Sequence, residues 1–575
     1  MNIIFTPAPK MNQVLDAVVS HSSLPLAKRK EFETALHSLE KWSGLSLKDI
    51  PATVADLRNI YSRLEPATLG IRPKTFANVK SLSLTAITKS ELVPGIFEHR
   101  IGRRPKSPEW AELWNGVRLP VHRNSVSRLM NWCSRAGIAP HEVNSRVVER
   151  VMADMENSSL RPNQYQVHRS MANGWNEMVD MFPEKHLQKV EVPVSRLRRN
   201  RVPPTEFPDS FRQDWSDYAA WAHGEDVFAD NARPKPLKQT TLDSYFRRVH
   251  LAASTLVQTG ADATTVRTLA DLITVDAFKR ILRKRHEVTN GRPSHDNFHL
   301  AWLLVRLARD WVKVDEEILA ELKRLARKVP APTFGMTRKN KLLVMRFDDP
   351  DLKRRFLTAP ARMWQDVQNS QRRNRWRLAE AQAALGIEIL MSAPVRLKNL
   401  TALAFEEHLF LREGGISTLM LSADETKTGE NLEFDIPSDL ATRLIEYRDV
   451  IAPAVIGHKP KHLFANDDGS VKGFASVRYL VQRYFKQYVG MHMNPHAFRH
   501  LAAKFILDSS PGGHVVVQHL LGHKKLETTA TFYAGLDTRR AGRHHHALLT
   551  KALNESRANR TDASRSRRPR SEDVE

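Results

Sequence analysis

NPHAFRHLAAKFIL, residues 494–507, and HVVVQHLLGHKKLETTATFYAGL, residues 514–536, carry the pattern on which the reading of this chain turns. In the first stretch Asn494 can cap a helix and Pro495 suits its first position. His496, Arg499 and His500 then fall at i, i+3 and i+4, on one side of that helix. Phe498, Leu501, Ala502, Phe505 and Ile506 form the apolar side. In the second stretch the helix through VVVQHLL is expected to stop at Gly522, a residue suited to the left-handed C-terminal position. His523 is then held at the end of a rigid element. Tyr533 follows in a short helix begun by Thr528 and Thr529. Each feature taken singly has an ordinary reading: a solvated polar face, a capping histidine, a half-buried tyrosine.

The neighbouring sequence adds two more cations. RWRLAEAQAALGIEILMSA (375–393) reads as a long helix that Pro394 breaks. Arg396 opens the next helix, with Leu397, Leu400 and Leu403 on its buried side. EHLFLR, ISTLMLS and LEFDIP are short apolar runs separated by polar turns, the pattern of a three-stranded meander. Lys427 lies in the second of those turns, ADETKTGEN. Helix resumes at SDLATRLIEYRDVIA, with Ser438 as its N-cap. A lone arginine at such a place usually makes a surface salt bridge, and a turn lysine is usually just solvated.

Together these residues run in the order Arg, Lys, His-x-x-Arg, His, Tyr. That order resembles the signature of the tyrosine recombinase (phage integrase) family. PHAFRH is similar to the family's H-x-x-R-H box, and LLGHKKLETTATFYAG to its L-G-H-x-x-x-x-T-T-x-x-Y box, with three residues instead of two between the threonine pair and Tyr533. Two departures stand out: A-P-V-R replaces the family's T-G-L-R before Arg396, and Gly535 stands where a histidine often follows the tyrosine. The resemblance implies a catalytic set of Arg396, Lys427, His496, Arg499, His523 and Tyr533 that cleaves and rejoins DNA through a 3′-phosphotyrosyl intermediate, without cofactor or metal. Two guanidiniums suit the phosphoryl oxygens because they donate in pairs. The expected partners are double-stranded DNA, a homo-tetramer on paired DNA sites, and accessory DNA-bending or partner recombinase proteins. A type IB topoisomerase-like activity, a telomere resolvase and a non-catalytic DNA-binding regulator remain as alternatives.

Charge points the same way. The 575 residues carry a formal net charge of +24, which favours a polyanionic partner. Basic residues cluster in RLRRNR (196–201), QRRNRWR (371–377) and RSRRPR (565–570). The chain is too long for one ordinary domain. The expected order is a helical N-terminal region (1–188), a basic Pro-rich linker (189–208), a helical core-binding domain (209–330), a catalytic domain (338–550) and a basic disordered tail (551–575). The fold class is mainly α and multidomain, ending in an α+β catalytic domain with a small antiparallel sheet.

Cys133 is the only cysteine, which excludes an intramolecular disulfide and a multi-cysteine zinc site. Its helical surroundings make it a buried core thiol. The run His544, His545, His546 reads as a positive DNA- or solvent-facing patch rather than a metal site. With no long apolar run and no signal-peptide pattern at the start, a cytoplasmic, DNA-associated protein is expected.

Overall fold

The computed structural model describes residues 8–565 except 94–106, 118–119, 162, 194–200, 225–227, 229–232, 234, 333–334, 372–373 and 511. Most of the three basic clusters (196–200, 372–373 and 566–570) therefore lies outside the described residues. The chain forms two compact units, one made of residues up to Glu191 and from Gly335 onward, the other of Val192–Phe334.

The second unit is helical, with Asp209–His223, Gln239–Gln258, Val275–Val288, His295–Leu307 and Glu316–Arg327 as its main helices. Phe211, Trp215, Tyr218, Phe278 and Ile281 are buried in its core. Asp214 ties the core together: one carboxylate oxygen accepts from Trp311 Nε1 at 2.8 Å and the other from Leu269 N at 2.6 Å.

The first unit begins with helices whose apolar faces close over Met11, Phe32, Leu36, Leu57 and Ile87. Cys133 is fully buried in the helix Pro120–Arg135. From Gly335 onward a larger core forms around the helix Arg375–Ser392. Asn374 starts that helix by accepting from Trp376 N and Arg377 N. Its Ala- and Leu-rich middle is buried on nearly every side. The meander takes the expected form: β1 (Leu409–Phe410), β2 (Ser417–Leu421) and β3 (Leu432–Ile436) pair antiparallel in that order. Leu419 and Leu421 face the core with Leu432 and Ile436, as a period of two requires.

Three local readings change. The helix that carries Arg499 spans Ala497–Ser509, two residues later than a start at Pro495. Asn494 still serves it, accepting from His496 N through its side chain. Pro437, rather than Ser438, occupies the N-cap of Ser438–Glu446. The last helix is long, Leu526–Arg565, where disorder is expected from 551. Ala552, Leu553, Ala558 and Ala563, with Lys551, Glu555, Arg557, Arg560 and Arg565, supply good helix formers in 551–565.

Candidate active site

Arg499 is the centre of the site and is only 3% exposed. The polar side of its helix is not solvated: His500 and Lys504 are buried with it. One terminal nitrogen of Arg499 donates to the Pro394 carbonyl and the other to the Leu521 carbonyl, each at 2.6 Å. Pro394 lies two residues before Arg396, and Leu521 two before His523. One guanidinium thus holds both chain segments that deliver the neighbouring polar groups. Two of its five N–H donors are used this way, which leaves three for an anion. Burial, followed by the charge of Arg396, pushes Arg499 down to about 10, so it stays protonated at neutral pH.

Arg396 sits in extended conformation at the N-cap of Leu397–Ala402, half-buried. Desolvation lowers it from its usual value. Pro394, which follows the end of the preceding helix, offers its carbonyl to Arg499.

Gly522 ends the helix His514–Leu521 with φ +58. A Cβ there would come within 2.8 Å of Leu432 Cδ2. Gly522→Ala is therefore expected to cost about 1–2 kcal/mol through strain and crowding. Thermal unfolding of the variant beside the wild type checks this. Past Gly522, His523 Nδ1 lies 2.9 Å from the fully buried Thr529 hydroxyl. When that hydroxyl donates to Nδ1, the ring proton sits on Nε2, free to donate. Desolvation, then the charges of Arg499 and Arg396, pushes His523 down to about 4. The ring is neutral at pH 7.

Lys427 is exposed, but the turn that presents it is built tightly. Glu425 accepts from Ser422 N at 2.9 Å and from His408 Nε2 at 2.7 Å. His408 Nδ1 accepts in turn from Ala404 N, so its proton must be on Nε2. Thr426 Oγ1 closes the turn onto Glu430. Against the desolvation that would raise it, bonds from Ser422 and His408 hold the Glu425 carboxyl down at about 2.

His496 lies at the exposed rim. Partial desolvation and the charges of Arg499, Arg396 and Lys427 lower it. Tyr533 is 2% exposed, and its hydroxyl is 3.3 Å from His500 Nδ1. Burial raises the phenol to about 12, while Arg499 pulls it the other way. Arg396, His496, His523 and Tyr533 each lie within electrostatic reach of Arg499, and Lys427 lies within reach of His496.

The tyrosine helix is anchored beyond the site. Asp348 accepts from Lys504 at 2.6 Å and from Arg539 at 3.0 Å. Lys504 also pairs with Asp508. His500, Asn340, Thr529 and Asp348 were not singled out as site groups by the sequence. His500 and Thr529 are inside the two boxes, but only contacts reveal what they touch. Among the described residues there is no cluster of potential metal ligands, and no helix is long and apolar enough to cross a membrane.

Residues 365–540 match the model of the Phage integrase family. This segment is a phage integrase family domain. A comparison with curated proteins finds no match. Among solved structures, the chain is similar to a lambda integrase(75-356) dimer bound to a COC' core site, at 15% identity and TM-score 0.32, over 55% of this chain and 93% of that one. It is also similar to XerH site-specific recombinase bound to difH substrate, at 14% identity and TM-score 0.29, over 57% and 92%. A third likeness is to the Tn1549 transposon integrase in complex with a circular intermediate DNA, at 13% identity and TM-score 0.33, over 55% and 94%. The integrase domain contains all six expected residues, since the match begins before Arg396 and ends after Tyr533.

Proposed function

We propose that the chain is a site-specific DNA recombinase or integrase of a mobile element, with Tyr533 as its nucleophile. The observation that carries this reading is the buried Tyr533 side chain within electrostatic reach of Arg499, which itself braces the segments bearing Arg396 and His523. The Tyr533 oxygen attacks a DNA phosphorus and the bond to the 5′ oxygen breaks. The energy of the phosphodiester is kept in a 3′-phosphotyrosyl link. A hydroxyl from another strand then reverses the step and joins it. Arg396 and Arg499 hold the phosphoryl oxygens as charge grows on them. His523 Nε2–H adds a donor, and His496 assists proton movement at the nucleophile. Lys427 protonates the departing 5′ oxygen.

Lys427 provides a separate check. Lys427→Ala should slow cleavage of ordinary DNA by roughly 10²-fold or more. It should cleave a 5′-thio substrate at close to the wild-type rate, since sulfur leaves without a proton. Equal defects on both substrates would make Lys427 a phosphate-binding group instead.

The second unit supports a DNA-gripping role for 209–330. A cavity of about 410 Å³ there is lined by Lys279, Arg283, Arg292, Arg324 and Lys328, among others. With a net charge of +24, affinity for DNA should fall steeply with salt. The expected loss is about 10³-fold or more between about 50 and 200 mM, read by titration at several salt concentrations. The active form is proposed as a homo-tetramer on two DNA sites, because exchange needs several strands cut in step. The deciding experiment incubates the protein with duplex DNA flanking its own gene. Protein–DNA adducts together with joined products support a recombinase. Relaxation of supercoils without joined products points to topoisomerase-like action, and DNA binding with no adduct to a regulator.

A further inference from the structure

The Tyr533 hydroxyl has a partner that the six-residue set does not include. His500 is 2% exposed, and its Nδ1 lies 3.3 Å from Tyr533 Oη. Its other nitrogen, Nε2, lies 3.3 Å from the side-chain nitrogen of Asn340, in the helix Arg338–Met345. An amide nitrogen only donates, so Nε2 must accept, and a neutral ring then carries its single proton on Nδ1. Burial first, then the charges of His496 and Arg499, pushes His500 down to about 4, which keeps that ring neutral. Ring packing fixes its plane: Phe532 stacks on it at 5.4 Å, and His496 meets it edge-on at 5.1 Å.

Resting on the reading of Tyr533 as nucleophile, we propose that His500 donates its Nδ1–H to the Tyr533 oxygen, in a tautomer set by Asn340, and so steadies the phenolate that attacks phosphorus. The proton balance separates this role from that of a base. Nδ1 already holds a hydrogen, so His500 cannot take the phenolic proton. That proton leaves to His496 or water while His500 keeps its own. The donor matters most when charge appears on oxygen, and it therefore acts on the reaction rather than on DNA binding. Asn340 is a positioning residue: it touches no reacting atom and acts only by choosing which nitrogen of His500 bears the proton.

The test is single-turnover covalent capture on nicked duplexes cut from DNA flanking the gene, with DNA affinity measured alongside. Wild type and Tyr533→Phe run in parallel. His500→Leu should capture DNA about ten- to a hundredfold more slowly, the worth of a hydrogen bond to a charged group, at unchanged affinity. His500→Asn places an amide N–H near the Nδ1 position and should recover most of the rate. Asn340→Leu leaves His500 in place and should slow capture several-fold, again at unchanged affinity. It guards against the chance that His500→Leu fails to fold. Wild-type rates in both leucine variants, or an asparagine variant as slow as His500→Leu, overturn the inference while leaving Tyr533 as nucleophile. An adduct that survives Tyr533→Phe, or none with the wild type, overturns both.

Discussion

Tyr533→Phe is expected to abolish covalent capture of DNA while leaving DNA binding intact. The substitution removes one oxygen. The ring stays in its place beside Phe532 and His500, where it is 2% exposed. The only hydrogen bond described for that oxygen is the one with His500, so stability should fall by about 1 kcal/mol. No hydroxyl remains at that position to form the phosphodiester link, and the loss should be complete rather than graded. Binding should survive because the DNA-facing cations are untouched. Denaturing gel electrophoresis after incubation with labelled DNA reads the adduct, and equilibrium titration reads affinity. An adduct that persists in the phenylalanine variant would falsify the assignment and send the search for a nucleophile elsewhere.

The two boxes were legible because their chemistry is local in sequence. His496 caps the helix that carries Arg499 and His500, and Gly522 fixes where His523 begins. The meander was legible because its strands are consecutive and alternate cleanly, with Leu419 and Leu421 inward. Contacts between distant segments were not legible. Asn340 and His500 are 160 positions apart and meet only through the fold. The polar face from Arg499 to Lys504 is buried: Lys504 is neutralised by Asp348 and Asp508, and Arg499 donates to two backbone carbonyls. Periodicity separates an apolar from a polar side. It does not say whether the polar side meets water or a set of carbonyls. The length of the last helix was missed for a related reason: composition describes solvation, while the helix continues from a tyrosine segment already packed in the core.

Arg499→Ala is expected to damage both the fold and the chemistry. The usual expectation for a residue that works on a transition state is slow cleavage with normal folding. The contacts of Arg499 predict more. Its two terminal nitrogens satisfy the carbonyls of Pro394 and Leu521 inside the protein, and alanine leaves both without a donor. A loss of about 2–4 kcal/mol in stability should follow, visible as a lower unfolding midpoint in denaturant. The same loss frees the segments that carry Arg396 and His523, so those groups move off target as well. The rate should then drop by more than the roughly 10²–10³ typical of one missing oxyanion donor. Arg499→Lys separates the two effects. Lysine restores a positive charge, but its single nitrogen cannot span both carbonyls and face a phosphate in the same geometry. It should regain part of the stability and little of the rate. If Arg499→Lys instead cleaves DNA at close to the wild-type rate, the guanidinium serves only as a charge, and its bracing of the two segments has no part in the chemistry.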